Sequence, residues 1–197
     1  MLKFFVIILC ILCSSCTTLI IGSSTSGVFL TNFFLSKDTN KFQILSDSTL
    51  SNNINLKLLS KDREIFHKIS IHVFENKVLC IGELNSKKKK TQTLDIIKSI
   101  KGVESIFDEI KIVKNYQYSF AQIVKDSNIT FFIKIRSMLH KDSIAFSNYN
   151  VITFKGIVYL LGIAKSQSEM SKITHLASNT KYVKEVRNYV KIKTKNS

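Results

Sequence analysis

Lys77-Val78-Leu79-Cys80-Ile81-Gly82 and, eighty residues further on, Ile157-Val158-Tyr159-Leu160-Leu161-Gly162 decide the fold of this chain. Each is a short apolar run that ends in glycine, the pattern of a strand leaving a sheet. Directly upstream lie two further short runs, residues 69–74 and 149–154. Only Glu75-Asn76 and Lys155-Gly156 separate them from the quoted stretches. A connection this tight between apolar runs predicts an antiparallel hairpin. Gly82 and Gly162, lacking Cβ, permit a turn or a close backbone approach where the strand departs. A lone glycine has none of the clustering that a phosphate-binding loop needs.

Working outward, a helix follows each hairpin, with Ile96, Ile97 and Ile100 on one stripe in the first copy and Ile173, Leu176 and Ala177 in the second. A last strand covers 103–112 or 183–192, and strand–helix–strand most simply makes a right-handed parallel crossover. An amphipathic helix precedes each hairpin, over 47–59 and 127–140. The expected fold class is therefore α+β: two tandem units, each αββαβ, with a three-stranded mixed sheet covered on one face by two helices. Setting residue n against n+80 aligns 69–112 with 149–192 without a gap. Phe74/Phe154, Val78/Val158, Gly82/Gly162, Ser86/Ser166, Lys101/Lys181, Val103/Val183, Lys111/Lys191 and Ile112/Ile192 coincide. Self-similarity at one period is the signature of a duplicated unit. The expected domains are 46–113 and 126–193, joined by a linker at 114–125 that holds Tyr116, Tyr118 and Phe120.

The N-terminus reads Lys3-Phe4-Phe5-Val6-Ile7-Ile8-Leu9-Cys10-Ile11-Leu12-Cys13-Ser14-Ser15-Cys16. One cation, a short apolar run and small residues before a cysteine are the parts of a bacterial lipoprotein signal peptide. Residues 1–15 are the expected leader, Cys16 the site of lipidation, and 16–45 a Ser/Gly-containing tether. Cys13 stands where such sites usually carry Leu. The competing reading is an uncleaved anchor, since apolar character resumes at Leu19-Ile20-Ile21 and Val28-Phe29-Leu30. Gly22-Ser23-Ser24-Thr25-Ser26-Gly27 breaks that segment, and such a break is costly in a bilayer core. Thr17, where an Asp would favour the inner membrane, points to the outer membrane.

Composition narrows the partners. Lys and Arg number 29 against 14 Asp and Glu, a net charge of +15, so an anionic partner is expected. For an exported protein that means headgroups rather than nucleic acid. A Lys-, Ile- and Asn-rich chain without proline is equally the product of an A/T-rich genome. Cys80 alone remains outside the leader and Cys16, which leaves no internal disulfide, and its apolar setting suits a buried thiol. His67, His72, His140 and His175 lack metal-ligand spacing, and no nucleophile, paired-carboxylate or phosphate-loop motif is present. No enzyme activity, metal or cofactor is expected. The run Lys87-Lys88-Lys89-Lys90 opens a helix, to be read as a solvated start or as attraction to headgroups.

The first helix of the second copy carries more apolar residues than one buried stripe needs. At 100° per residue, Phe131, Ile135, Met138 and Leu139 share one stripe, assigned here to the core. Ile129 and Ile133 lie on another, beside Arg136 and His140, with Phe132 on the seam. An apolar stripe flanked by cations suits a helix resting in a headgroup layer. The first copy has Ser51-Asn52-Asn53 there. The alternative packs Ile129 and Ile133 on the other domain or the linker.

The Val-x-x-x-Gly, helix, Val-x-x-Val pattern, twice over, resembles the BON domain, and Lys77-Val78-Leu79-Cys80-Ile81-Gly82 and Ile135-Arg136-Ser137-Met138-Leu139 carry the resemblance best. Behind a lipoprotein leader, the pair is similar to the dual-BON outer-membrane lipoproteins of the DolP type. Tyr182 departs from the pattern, standing where Gly102 sits in the first copy. The resemblance implies a lipid-anchored, periplasm-facing, non-catalytic outer-membrane protein that binds anionic, phosphatidylglycerol-like phospholipid through the second domain. It implicates Phe132, Ile133, Lys134 and Arg136 as neighbours of lipid, with Thr130 or Phe131 near an interfacial aromatic position and Ile129 on the same face. A role in outer-membrane integrity, near the division site or the β-barrel assembly machinery, is implied as well. The rival expectation is a protein-binding adaptor for a periplasmic or β-barrel partner, with lipid only as tether.

Overall fold

The computed structural model describes residues 41–139 and 148–193. The leader, Cys16, the tether to residue 40 and His140 lie outside the described residues. Eleven elements follow in chain order: α1 (Lys41–Lys61), α2 (Arg63–Lys68), β1 (Ile69–Phe74), β2 (Lys77–Leu84), α3 (Lys87–Lys98), β3 (Ser105–Ile112), α4 (Phe120–Met138), β4 (Tyr149–Phe154), β5 (Ile157–Ala164), α5 (Gln167–Ser178) and β6 (Glu185–Ile192). Each domain has the expected mixed sheet. β1 runs antiparallel to β2 and β2 parallel to β3, and the second sheet repeats this in β4, β5 and β6. Both first helices begin earlier than the sequence suggests: α1 inside the segment read as tether, α4 inside the segment read as linker. Ser119 caps α4, its hydroxyl accepting the Gln122 amide at 3.3 Å. The short α2, capped by Asp62, was not foreseen.

The hairpins turn through Glu75-Asn76 and Lys155-Gly156, all four at positive φ. That is the two-residue turn whose twist matches flanking strands. Gly82 and Gly162 are close-approach positions. A Cβ on Gly82 would stand 2.2 Å from the Lys68 carbonyl oxygen, and one on Gly162 2.1 Å from that of Asn148.

One cluster in each domain lies between sheet and helices. The first joins Leu50, Ile54 and Leu58 of α1 to Val78, Cys80 and Leu84 of β2 and Ile97 of α3. The second joins Ile129 and Ile133 of α4 to Val158, Leu160 and Ala164 of β5 and Ile173 of α5. A third cluster takes the alternate residues of both central strands, Leu79 and Ile81 with Ile157, Tyr159 and Leu161. The sheets thus cover each other's second faces, so β2 and β5 are buried on both sides. That is why they read as unbroken apolar runs rather than alternating ones.

Ion pairs around this interface run one way. Glu83 meets Lys155 at 2.5 Å, Glu109 meets Arg187 and the Tyr189 hydroxyl, and Glu75 meets Lys191 at 2.9 Å. In these three pairs every acid comes from the first domain and every base from the second. Phe107 and Tyr189 stack with centroids 4.5 Å apart beside them. Residues Lys37–Ser197 form a compact unit of their own, and all three clusters are complete within it.

Candidate functional site

α4 is held in register by a carboxylate. Asp126, buried, accepts the Lys155 and Gly156 backbone amides at 2.6 and 2.9 Å. Gln122 and the Tyr118 hydroxyl donate to the same carboxylate, both at 2.9 Å. Burial and this bond push the Tyr118 hydroxyl pKa above its ordinary value. Asp47 of α1 does the same for the first hairpin, accepting from Glu75 and Asn76 at 2.8 and 3.0 Å, with Gln43 donating at 3.0 Å. The repeat therefore includes Gln43-Ile44-Leu45-Ser46-Asp47 and Gln122-Ile123-Val124-Lys125-Asp126. This alignment runs at n+79, so the gapless n+80 comparison missed it.

That register corrects the assignment of α4. Ile129 and Ile133, expected on an outward stripe, are core residues with 2% and 0% exposure. They occupy the places of Leu50 and Ile54, and neither the lipid-facing role nor a contact with the other domain is open to them. Phe131 and Ile135, expected in the core, are outward at 57% and 37%, together with Met138 and Leu139. The larger side chains lie on the solvent face. The core face is narrow and shared with Asp126, Thr130 and Ser137. Periodicity alone gives two stripes and not which one is buried.

Among the other expected lipid neighbours, Phe132 is exposed at 54%. Thr130 is tied inward, its hydroxyl donating to Thr153 Oγ1 at 2.8 Å. Lys134 is half-buried and Arg136 exposed. Arg136 Nη1 donates to the Asn179 carbonyl and Thr180 Oγ1 at 3.2 and 3.3 Å, across the C-terminal end of α5. The outer face of α4 thus carries Phe131, Phe132, Ile135, Met138 and Leu139, over roughly a third of the helix circumference at 100° per residue. Lys134 flanks it on one side and Arg136 on the other.

Charge elsewhere is more committed than composition implies. Lys89 pairs with Asp62 at 3.3 Å and with Glu64, and Lys90 with Asp108 at 2.8 Å. Half of the Lys87-Lys88-Lys89-Lys90 run thereby fastens α3 to α2 and β3, while Lys87 and Lys88 are exposed. Lys68 and Lys89 hold the Glu64 carboxyl at about 2. Burial pushes the Cys80 thiol up to about 12, with Asp108 adding to the shift, so it stays a protonated thiol packed in the first core. Burial also holds the His72 imidazole below its usual pKa. Among the described residues no three His, Cys, Asp or Glu side chains gather as a metal site, and no helix is long and apolar enough to cross a membrane.

A family model, BON domain, matches residues 46–114 and again 126–194. The chain belongs to the BON-domain family. Its two BON domains are the two sheet-and-helix units just described. It is 31% identical over 149 residues to the "Uncharacterized protein in gshII 5'region" of Anaplasma centrale, covering 76% of this chain and 96% of that protein. It is 28% identical over 145 residues to the outer membrane lipoprotein DolP of Haemophilus influenzae (strain ATCC 51907 / DSM 11121 / KW20 / Rd), covering 72% of each. Osmotically-inducible protein Y of Escherichia coli (strain K12) is 24% identical over 149 residues, 76% of this chain and 74% of that one.

Proposed function

We propose that this protein is a non-catalytic outer-membrane lipoprotein, anchored through Cys16 and facing the periplasm. Its second BON domain binds anionic phospholipid through the outer face of α4 and so supports outer-membrane integrity. One observation carries the reading: Phe131, Phe132, Ile135, Met138 and Leu139 are all exposed on one helix face, bordered by Lys134 and Arg136. A face of this kind lies in the headgroup layer with its apolar side inward and its cations at the phosphates. The name of the H. influenzae relative, outer membrane lipoprotein, agrees with the location. An acyl anchor supplies most of the affinity, at roughly 0.8 kcal/mol per buried methylene, and the helix supplies the choice of lipid.

A second reading rests on α1, where Leu45, Leu56 and Leu59 are exposed. That face suits a protein partner, such as a β-barrel assembly component, and would make the chain an adaptor with lipid as tether.

Vesicle co-sedimentation of residues 37–197 separates the two. Binding to phosphatidylglycerol vesicles that weakens with salt, is absent for zwitterionic vesicles and is lost in Phe131→Ser/Phe132→Ser supports the lipid reading. Equal sedimentation of wild type and variant overturns it.

A further inference from the structure

On α1, Leu45, Thr49, Asn52, Leu56 and Leu59 recur at alternating steps of four and three residues. That is the spacing of a seam between two helices. At 100° per residue the five fall within an arc of about 80°, centred opposite the buried Leu50, Ile54 and Leu58. All five are exposed, Leu45 at 67% and Leu56 at 64%. The first core takes its α1 residues from the other side of the helix.

Charge is absent from the middle of this face, in a chain whose net charge is +15. From Leu45 to Leu56 the only charged residue is Asp47, which is buried and accepts the hairpin amides. The aligned stretch of α4, residues 124–135, carries Lys125 and Lys134. A cationic chain repels its own copy wherever two basic faces meet. Along α1, two copies approach without that repulsion, and Lys57, Lys61 and Arg63 follow at one end only.

The row from 45 to 56 also reads alike in both directions: leucine, polar, polar, leucine. Laid antiparallel on a second α1, Leu45 meets Leu56 of the other copy and Thr49 meets Asn52. Each contact is made twice about a two-fold axis, as an isologous interface requires. The Thr49 hydroxyl and the Asn52 amide have complementary donors and acceptors. A polar pair between apolar ones fixes the register, because a slip sets leucine on asparagine. A parallel pairing would gather the cations of both copies at one end, whereas the antiparallel one parts them and opposes the helix dipoles.

We propose that the outer face of α1 is a self-association surface on which two copies of this chain pair antiparallel, Leu45 on Leu56. The inference goes beyond the lipid reading and does not depend on it. It commits to a second copy the face that the adaptor reading gives to a β-barrel partner. The matched row spans about 16 Å, less than a standard interface needs, so the dimer is weak, with a Kd of about 100 μM.

Sedimentation velocity of residues 37–197, from about 10 μM to about 1 mM, brackets that value. The expected result is a concentration-dependent dimer whose Kd rises at least about tenfold in Leu45→Ser/Leu56→Ser and about twofold or less in Phe131→Ser/Phe132→Ser. All four positions are exposed, so the fold is retained, and circular dichroism checks this. A monomer throughout the range overturns the proposal and leaves the α1 face to a different protein. A dimer that the α1 variant does not weaken, or that both variants weaken equally, overturns it too. Cross-linking tests the direction of pairing, since Cys80 is buried and is the only native cysteine in 37–197. Leu45→Cys mixed with Leu56→Cys should form a disulfide-linked dimer, whereas neither alone should. Like positions lie about 16 Å apart along an antiparallel pair, beyond the roughly 7 Å that a disulfide spans between Cα atoms. Leu45→Cys linking to itself refutes the antiparallel pairing. None of these outcomes touches the vesicle measurement, so the lipid reading is judged separately.

Discussion

In α1 the stretch Asn52-Asn53-Ile54-Asn55-Leu56 occupies the place that Phe131-Phe132-Ile133-Lys134-Ile135 occupies in α4. The inward residue is isoleucine in both, fully buried in both, and the carboxylate about two helical turns upstream clamps a hairpin in both. Outward, two asparagines face two phenylalanines. A duplicated fold holds fixed what the sheet touches and lets the solvent face diverge.

The comparison breaks first at the inward residue. Ile133→Ala should destabilise the protein by about 4 kcal/mol, because a fully buried β-branched side chain leaves a cavity. Phe132→Ser should change stability by less than about 0.5 kcal/mol, being on the surface. Urea unfolding of both variants checks this, and equal losses would mean that the assignment of the two faces is wrong. Next comes the clamp. Asp126→Ala should cost about 3 kcal/mol, since it strands two turn amides, a glutamine and a tyrosine hydroxyl. Asp47→Ala should cost somewhat less, having no tyrosine partner. Thermal melts of the pair order the two hairpins.

A smaller effect sharpens the comparison at the turn after the second helix. Gly102 has φ +101 in the first domain, and Tyr182 is at +71 in the second. The left-handed region costs a residue with a Cβ about 1 kcal/mol, so Tyr182→Gly should raise stability by about that amount. The reciprocal Gly102→Tyr should lower it. The smallest effect is at Glu64. Its carboxyl lies near 2 when folded, because of Lys68 and Lys89, and near 4.5 ordinarily. A depressed folded value means that its contribution is fully present above the ordinary value and is lost as pH falls towards 2. The difference in melting temperature between wild type and Glu64→Gln should therefore be present at pH 7 and close below pH 4.5.

Strand order, hairpins, crossovers and the two-domain division were legible because each rests on local spacing. Two residues between apolar runs force a hairpin, and a strand–helix–strand passage forces a parallel return. The candidate surface was legible only as an excess of apolar residues on α4. Periodicity gave both stripes but not which is buried, and the one assigned to the core, Phe131, Ile135, Met138 and Leu139, is the outward one. Gln122 and Asp126, aligned with Gln43 and Asp47, hold the information that corrects it, at an offset one residue different from that of the strands.

Sequence by itself determined the repeated αββαβ unit, its mixed sheet, the buried thiol of Cys80 and the helix on which the two domains differ most. Only the tertiary structure decided that the sheets cover each other's second faces, with acids from one domain meeting bases from the other. It alone decided which side of α4 meets water. The physical reason is the range over which each fact is set: turns and periodicities depend on neighbours along the chain, whereas burial depends on residues about thirty to eighty positions away, as Asp126 at the Lys155 turn and Arg187 beside Glu109 show.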